Sequence, residues 1–505
     1  MVAKTKTLSF AGIDVAPINV QVKISPGLSS FTIVGLPDKA VGESKERVRA
    51  AILSTGLSWP YQRITVNLAP ADLQKEGSHF DLAIALGIMI EIGVLEQRVV
   101  DDFFILGELA LDGAISGVNG IISAAIGANQ HGCGIICPAI NGGEAAWAGD
   151  LNIIAVPNIM TLINHLKGEQ ILERPETSKI HRDVQYPDLI DVKGQEIPKR
   201  ALEIAAAGGH NLLMVGPPGT GKSMLASRLP GILPMCELEE ILEINMIHSI
   251  GGKVNNGELI TERPYREVHH SCSMPAMVGG GTKAKPGEVS LAHNGVLFLD
   301  ELAEFPRQVL DSLRQPLEAG TISISRVNSH VTYPANFQLV AAMNPCRCGY
   351  LGDGNRECKK APICGEDYKN KISGPLLDRV DIVVNVSQID IFSPLSSTSN
   401  SETSQVVAKR VLESRALQRN RYEKEDEMQN LPKINAKING KTLEKFCDLN
   451  TECQNILQQS VKKMQSSMRG VTRILRVART IADLDGEEKI NKNHLLEAIS
   501  YRRKV

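Results

Sequence analysis

The sequence predicts an α/β fold of several domains, with a phosphate-cradling parallel sheet at its centre and a helical unit after it. Three observations carry the prediction. Residues 216–223 read Gly-Pro-Pro-Gly-Thr-Gly-Lys-Ser, between an apolar run at 211–215 and a helix-compatible segment at 224–228. Residues 295–301, Gly-Val-Leu-Phe-Leu-Asp-Glu, put two acids at the end of a second apolar strand. Before both, residues 1–165 alternate strand-like and helical stretches, and residues 405–505 read as mostly helical.

In chain order, strand-like stretches at 20–24, 31–34 and 64–68 alternate with helical ones at 39–53 and 80–92, one α/β domain over 1–165. Residues 166–187 are polar and charged and read as a linker. The nucleotide core spans 188–392. A Ser-rich stretch, 393–404, forms a second linker before the helical unit at 405–505.

A chain of 505 residues holds two to four domains. Aromatic residues make up only 4%, so the cores must be mainly aliphatic. The net charge of −2 leaves no global basic field, so a nucleic-acid site must be a local patch or an assembled pore. No apolar run is long enough to span a bilayer, and no apolar signal core follows the first residues. A cytoplasmic location without a membrane partner is expected, with the ten cysteines as reduced thiols or metal ligands.

The octamer matches G-x-x-x-x-G-K-[ST] in full. Gly216, Gly219 and Gly221 let the backbone curl, so that Pro217, Pro218 and Thr220 sit in a loop whose N–H groups converge on a phosphate. Lys222 is expected to reach the β- and γ-phosphates of ATP, and the Ser223 hydroxyl to ligate Mg²⁺. Asp300 is expected to hold the same Mg²⁺, directly or through water, and Glu301 to deprotonate the attacking water. Two solvated acids at a strand end would look the same alone; beside the octamer they read as catalytic. A third apolar strand, 337–343, ends in Asn344, an amide suited to sensing the γ-phosphate. Arg379 lies in Ser-Gly-Pro-Leu-Leu-Asp-Arg, 373–379, and Arg469, Arg473, Arg476 and Arg479 stand on one C-terminal helical stretch.

Together these residues resemble AAA+ ATPases of the magnesium-chelatase-like clade, and more closely the bacterial ComM/YifB family. Further marks are Val-Gly-Leu-Pro-Asp at 34–38, Asn-Leu-Ala-Pro-Ala-Asp at 67–72, Val-Gly-Gly-Gly at 278–281, Met-Asn-Pro at 343–345 and Arg-Ile-Leu-Arg-Val-Ala-Arg-Thr-Ile-Ala-Asp at 473–483. The resemblance implies an AAA+ P-loop core, a Lon-like (ribosomal S5 domain 2-like) α/β domain before it and a helical lid after it. It makes Asn344 the sensor-1 residue, Arg379 a finger acting on a neighbour's nucleotide, and Arg469 the sensor-2 residue, with Arg473 as runner-up. It also implies a homo-hexamer acting as a branch-migration helicase in homologous recombination and natural transformation, with DNA and recombination proteins as partners. A chelatase-type motor remodelling a partner protein is the alternative, and a non-motor scaffold a third. The family usually reads Arg-x-Pro-His-His before its Gly-rich loop; this chain reads Arg-Glu-Val-His-His at 266–270.

Two loops offer positive charge for DNA. Lys283 and Lys285 lie in the Gly-rich segment 278–286, and Arg326 ends the first arm of an expected hairpin, 321–326 with 330–333. Six copies would line a ring's pore and hold phosphates without sequence preference. Cys346, Cys348, Cys358 and Cys364 fall in a segment with little apolar content, which a thiolate zinc site would order. In the first domain, which resembles the proteolytic domain of Lon, the position expected to hold the serine falls on His79, and that of its lysine on Ile122 or a neighbour, in a helix without lysine. Ser78 is adjacent but has no obvious base, so a proteolytically inactive domain is expected.

Overall fold

The computed structural model describes residues 2–178, 185–253, 258–281, 284–326, 329–351, 358, 360–388, 402–429, 431–464 and 467–502, with the backbone alone at Arg326, Ser329 and His330. Most of the expected linker 393–404 and Lys283 lie outside them.

The first unit is a mixed sheet of seven strands. Their order is Ser30–Val34, Arg63–Ala69, Asp14–Ser25, Ala3–Ala11, Phe103–Ile105, Gly134–Pro138, Ile153–Val156. Alternation decides the faces: Ile64, Val66 and Leu68 point one way, into a core closed by the helices Lys39–Ser54 and Asp81–Glu91. Leu8 and Phe104 point the other way, against the helix Ile121–Gln130.

The second sheet is wholly parallel, in the order Tyr265–Val268, Val296–Leu299, Gln338–Met343, Leu212–Val215, Ile382–Asn385. Its central strands are buried at every position because both faces are covered, and the one polar side chain among them, Gln338, donates to the carbonyls of Ala205 at 2.9 Å and His210 at 2.8 Å. Leu212 and Met214 join a core with the helices Glu196–Gly208, Ser404–Tyr422 and Met468–Leu484. Leu213 and Val215 face Met277, Val289, Leu313 and the hairpin Thr321–Arg326/Ser329–Pro334. The C-terminal helices therefore share their apolar core with this sheet.

The two units meet at a small apolar cluster, Ile122 with Ile241 and Leu259. Beside it the Ser249 hydroxyl donates to the Glu144 carboxylate at 2.7 Å and accepts the Gly120 N–H at 2.8 Å. Among the described residues no helix is long and apolar enough to cross a membrane.

Candidate nucleotide site

The loop at 216–221 leaves the carboxyl end of the strand Leu212–Val215, where parallel sheets bind ligands. Its start cannot carry a side chain: a Cβ on Gly216 would stand 2.1 Å from the Val386 carbonyl oxygen. Gly219 and Gly221 take left-handed φ of 78° and 87°. The Thr220 hydroxyl donates to the Pro217 carbonyl at 2.9 Å and closes the loop on itself. The helix that follows is short, Lys222–Ala226.

Lys222 is 8% exposed, and its ammonium donates to the carbonyls of Gly216 and Pro217, both at 2.8 Å, and to Asn344 Oδ1 at 3.2 Å. Burial pushes its pKa below the ordinary lysine value, and Asp300 and Glu301 pull it back in part. The Ser223 hydroxyl donates to Asp300 Oδ2 at 2.7 Å. A hydroxyl and a carboxylate in contact are a hard oxygen pair of the kind Mg²⁺ takes. With the Gly216 cradle they fit a phosphate chain and its metal. Glu301 follows in a left-handed conformation, φ 51°, costly for a residue with a side chain and a mark of functional turns.

Strand order explains why these groups meet. The strand carrying Asp300 is not beside the P-loop strand; Gln338–Met343 lies between them and ends in Asn344. The amide therefore stands between lysine and acids.

Two further residues join the site that spacing did not assign to it. His270 Nδ1 lies 3.2 Å from Glu301 Oε2. The sequence marks His270 only as part of an altered family motif. Gln195, itself left-handed at φ 59°, donates to the carbonyls of Ser387 at 2.6 Å and Thr220 at 3.4 Å, tying the loop to the neighbouring strand end. No motif flags it.

Arg379 and Arg469 are elsewhere. Asn211, at the amino end of the P-loop strand, donates through Nδ2 to the Arg379 carbonyl at 2.8 Å. The guanidinium of Arg379 pairs with Glu318, and Arg469 lies 3.7 Å from the same carboxylate. Arg473 is buried against Asp381 at 3.4 Å. Burial raises Asp381, and His210, Arg476 and Arg473 outweigh it, holding its carboxyl below the usual range. All four arginines, 379, 469, 473 and 476, line a cavity of about 360 Å³. Arg469 thus stands at the opposite end of the sheet from the P-loop of its own chain: four strand residues, about 13 Å, separate the two ends.

Of the basic loops, Lys285 is exposed on a short ribbon paired with Gly280. Tyr333 donates its hydroxyl to the Ala284 carbonyl at 3.0 Å, so the ribbon and the hairpin are one packed element. Lys283 and the side chain of Arg326 lie outside the described residues. In the first unit Ser78 hydrogen-bonds Glu108, and buried His79 meets the Leu8 carbonyl at 2.9 Å. Ile122 is spent on the junction with Ile241.

A P-loop, an acidic pair two strands away and an amide between them define an AAA+ nucleotide-binding protein of the magnesium-chelatase type. Matches to family models agree: "Magnesium chelatase, subunit ChlI" over residues 188–393, "Subunit ChlI of Mg-chelatase" over 20–141 and "Magnesium chelatase, subunit ChlI C-terminal" over 401–502. The chain is 44% identical over 502 residues to the competence protein ComM of Haemophilus influenzae, covering 98% of this chain and 96% of that one. It is 43% identical to YifB of Escherichia coli, again over 98% and 96%. A DNA replication licensing factor, mcm6 of Dictyostelium discoideum, is 24% identical over 202 residues, 40% of this chain and 20% of that one. The chain belongs to the ComM/YifB family of magnesium-chelatase-like AAA+ proteins.

Proposed function

We propose that this protein is an ATP-dependent DNA motor working as a homo-hexamer, and that it drives branch migration during homologous recombination and uptake of transforming DNA. The observation that carries the reading is the division of catalytic groups between the two ends of one sheet. Lys222, Ser223, Asp300, Glu301 and Asn344 gather at the carboxyl end, while Arg379 and Arg469 stand at the amino end. An arginine that cannot reach its own chain's nucleotide is available to a neighbour's, the arrangement of a ring with shared sites.

At each site Glu301 takes the proton of the attacking water, Asn344 orients that water or the γ-phosphate, and Lys222 exchanges its carbonyl partners for phosphate oxygens. Mg²⁺ held by Ser223 and Asp300 would neutralise charge on the phosphates. His270, 3.2 Å from the Glu301 carboxylate, orients it. The short ribbon and the hairpin are packed together through Tyr333, which supports Lys285 in a DNA-contacting surface, with Lys283 and Arg326 proposed from the sequence alone. The likeness to the competence protein ComM supports the competence role. The first domain acts as a scaffold without protease activity, consistent with Ser78 pairing with Glu108 and with a helix Ile121–Gln130 that holds no lysine.

The test is ATP hydrolysis with and without a three-strand DNA junction, beside Lys222→Ala and a strand-exchange readout. Stimulation and junction movement are expected from the wild type only. If branched DNA neither binds nor stimulates hydrolysis, the motor reading falls and remodelling of a partner protein replaces it.

A further inference from the structure

We propose that Cys346, Cys348, Cys358 and Cys364 bind one zinc ion as thiolates, and that this ion braces the phosphate site from behind.

The geometry admits one tetrahedral ion. The four sulfurs lie within 4.8 Å of one another although the cysteines span positions 346 to 364. A tetrahedron with Zn–S arms of 2.3 Å has edges of about 3.8 Å. An iron–sulfur cluster, with several metal atoms inside, holds its thiolates further apart. The Cys346 and Cys348 sulfurs are 3.1 Å apart, in contact but too far for a disulfide.

The backbone is shaped to present sulfur. Gly349 N–H bonds the Cys346 carbonyl at 2.9 Å, and Ala361 N–H bonds that of Cys358 at 3.0 Å, so two cysteines each begin a tight turn. The N–H of Tyr350 faces the Cys348 sulfur and that of Lys360 faces the Cys358 sulfur, each two residues on. Cys364 enters the helix Ile363–Lys369 on its first turn. Metal binding would take the proton from each thiol.

The position gives the ion its role. Cys346 is two residues beyond Asn344, whose amide meets Lys222. Gly349, left-handed at φ 85°, lies so close to the P-loop that a Cβ there would stand 2.7 Å from Pro218 Cδ. The helix behind Cys364 carries Tyr368 into the core under the acidic strand, and Lys371 beyond it pairs with Glu304 at 3.2 Å. The zinc loop thus touches the lysine loop, the sensor amide and the acidic turn together.

The experiment is metal analysis of full-length protein purified without chelator or affinity-tag metal, followed by exchange into Co²⁺. One zinc per chain is expected, and the Co²⁺ form should show the visible absorption of a tetrahedral tetrathiolate. Cys348→Ser, at the exposed ligand, should lose the zinc, and Cys133→Ser, outside the cluster, should keep it. Cys348→Ser should also bind MgATP about tenfold more weakly, the loss of one hydrogen bond to a charged group. Protein that is folded, free of zinc and unable to take Co²⁺ overturns the site, as does a Cys346–Cys348 disulfide found by mass spectrometry. Zinc loss with unchanged MgATP affinity overturns the bracing role.

Discussion

Gly216→Ala puts a methyl group where the structure has a carbonyl oxygen. The new Cβ would sit 2.1 Å from Val386 O, whereas carbon–oxygen contacts rest at about 3.3 Å, so the loop and the neighbouring strand must part by about 1 Å. Val386 cannot yield freely, because its N–H is bonded to the Val215 carbonyl at 2.8 Å. Overpacking of this kind costs about 1–3 kcal/mol, roughly 2–12 °C in the melting of a domain this size. The same displacement misplaces the loop N–H groups. Losing two charge-assisted hydrogen bonds weakens MgATP about a hundredfold. At a concentration giving the wild type about 2.7 kcal/mol of ligand stabilisation, the variant retains about 0.4 kcal/mol. Differential scanning fluorimetry with and without MgATP reads both effects. Gly374→Ala, where an added Cβ meets open space, is the control and should leave both unchanged. A Gly216→Ala protein that melts with the wild type and gains the same stabilisation from MgATP would refute the placement of Val386 over the loop.

Other outcomes follow from the same geometry. Glu301→Gln should keep MgATP binding and lose about 10²–10⁴ of turnover, measured by phosphate release, because the amide cannot take a proton. Tyr333→Phe leaves the Ala284 carbonyl without its donor, costing about 1–3 kcal/mol in urea unfolding and weakening DNA retention through a loosened ribbon. His79 is held neutral by burial, its pKa pushed down to about 4 from an ordinary 6.5. A lowered folded value means that stability is full above pH 6.5 and is lost as pH falls towards 4. The loss is about 2 kcal/mol at pH 5. His79→Gln, which retains a donor for the Leu8 carbonyl, should remove that share of the acid sensitivity in urea midpoints compared at pH 7 and pH 5.

Much of the site was legible in the sequence because it is local. The octamer, the Asp300-Glu301 pair and Asn344 each follow an apolar run, and parallel strands deliver such ends to one edge. What depends on strand order was not legible. Spacing could not say that Gln338–Met343 lies between the other two, nor that Arg379 and Arg469 share Glu318 at the opposite end. The edge strand Tyr265–Val268 hid for a different reason: only one of its residues is fully buried, and Arg266 is drawn to Glu288 at 2.7 Å, so its pattern reads as polar. The four cysteines were legible as a candidate zinc group from their density, whereas the way their uneven spacing closes into a cluster depends on the turns at 346–349 and 358–361.

The division of lysine and arginine between the two ends of one sheet has a consequence for how the protein behaves in dilute solution. Under the proposed ring with shared sites, a solitary chain is idle whatever its affinity for nucleotide. Its output per molecule should therefore climb steeply with concentration and level off once neighbours are seldom apart. Subunits broken at Lys222 and subunits broken at Arg379, each inert alone, should regain part of that output when mixed. Abundance in the cell then acts as a throttle on the activity, with no separate inhibitor required.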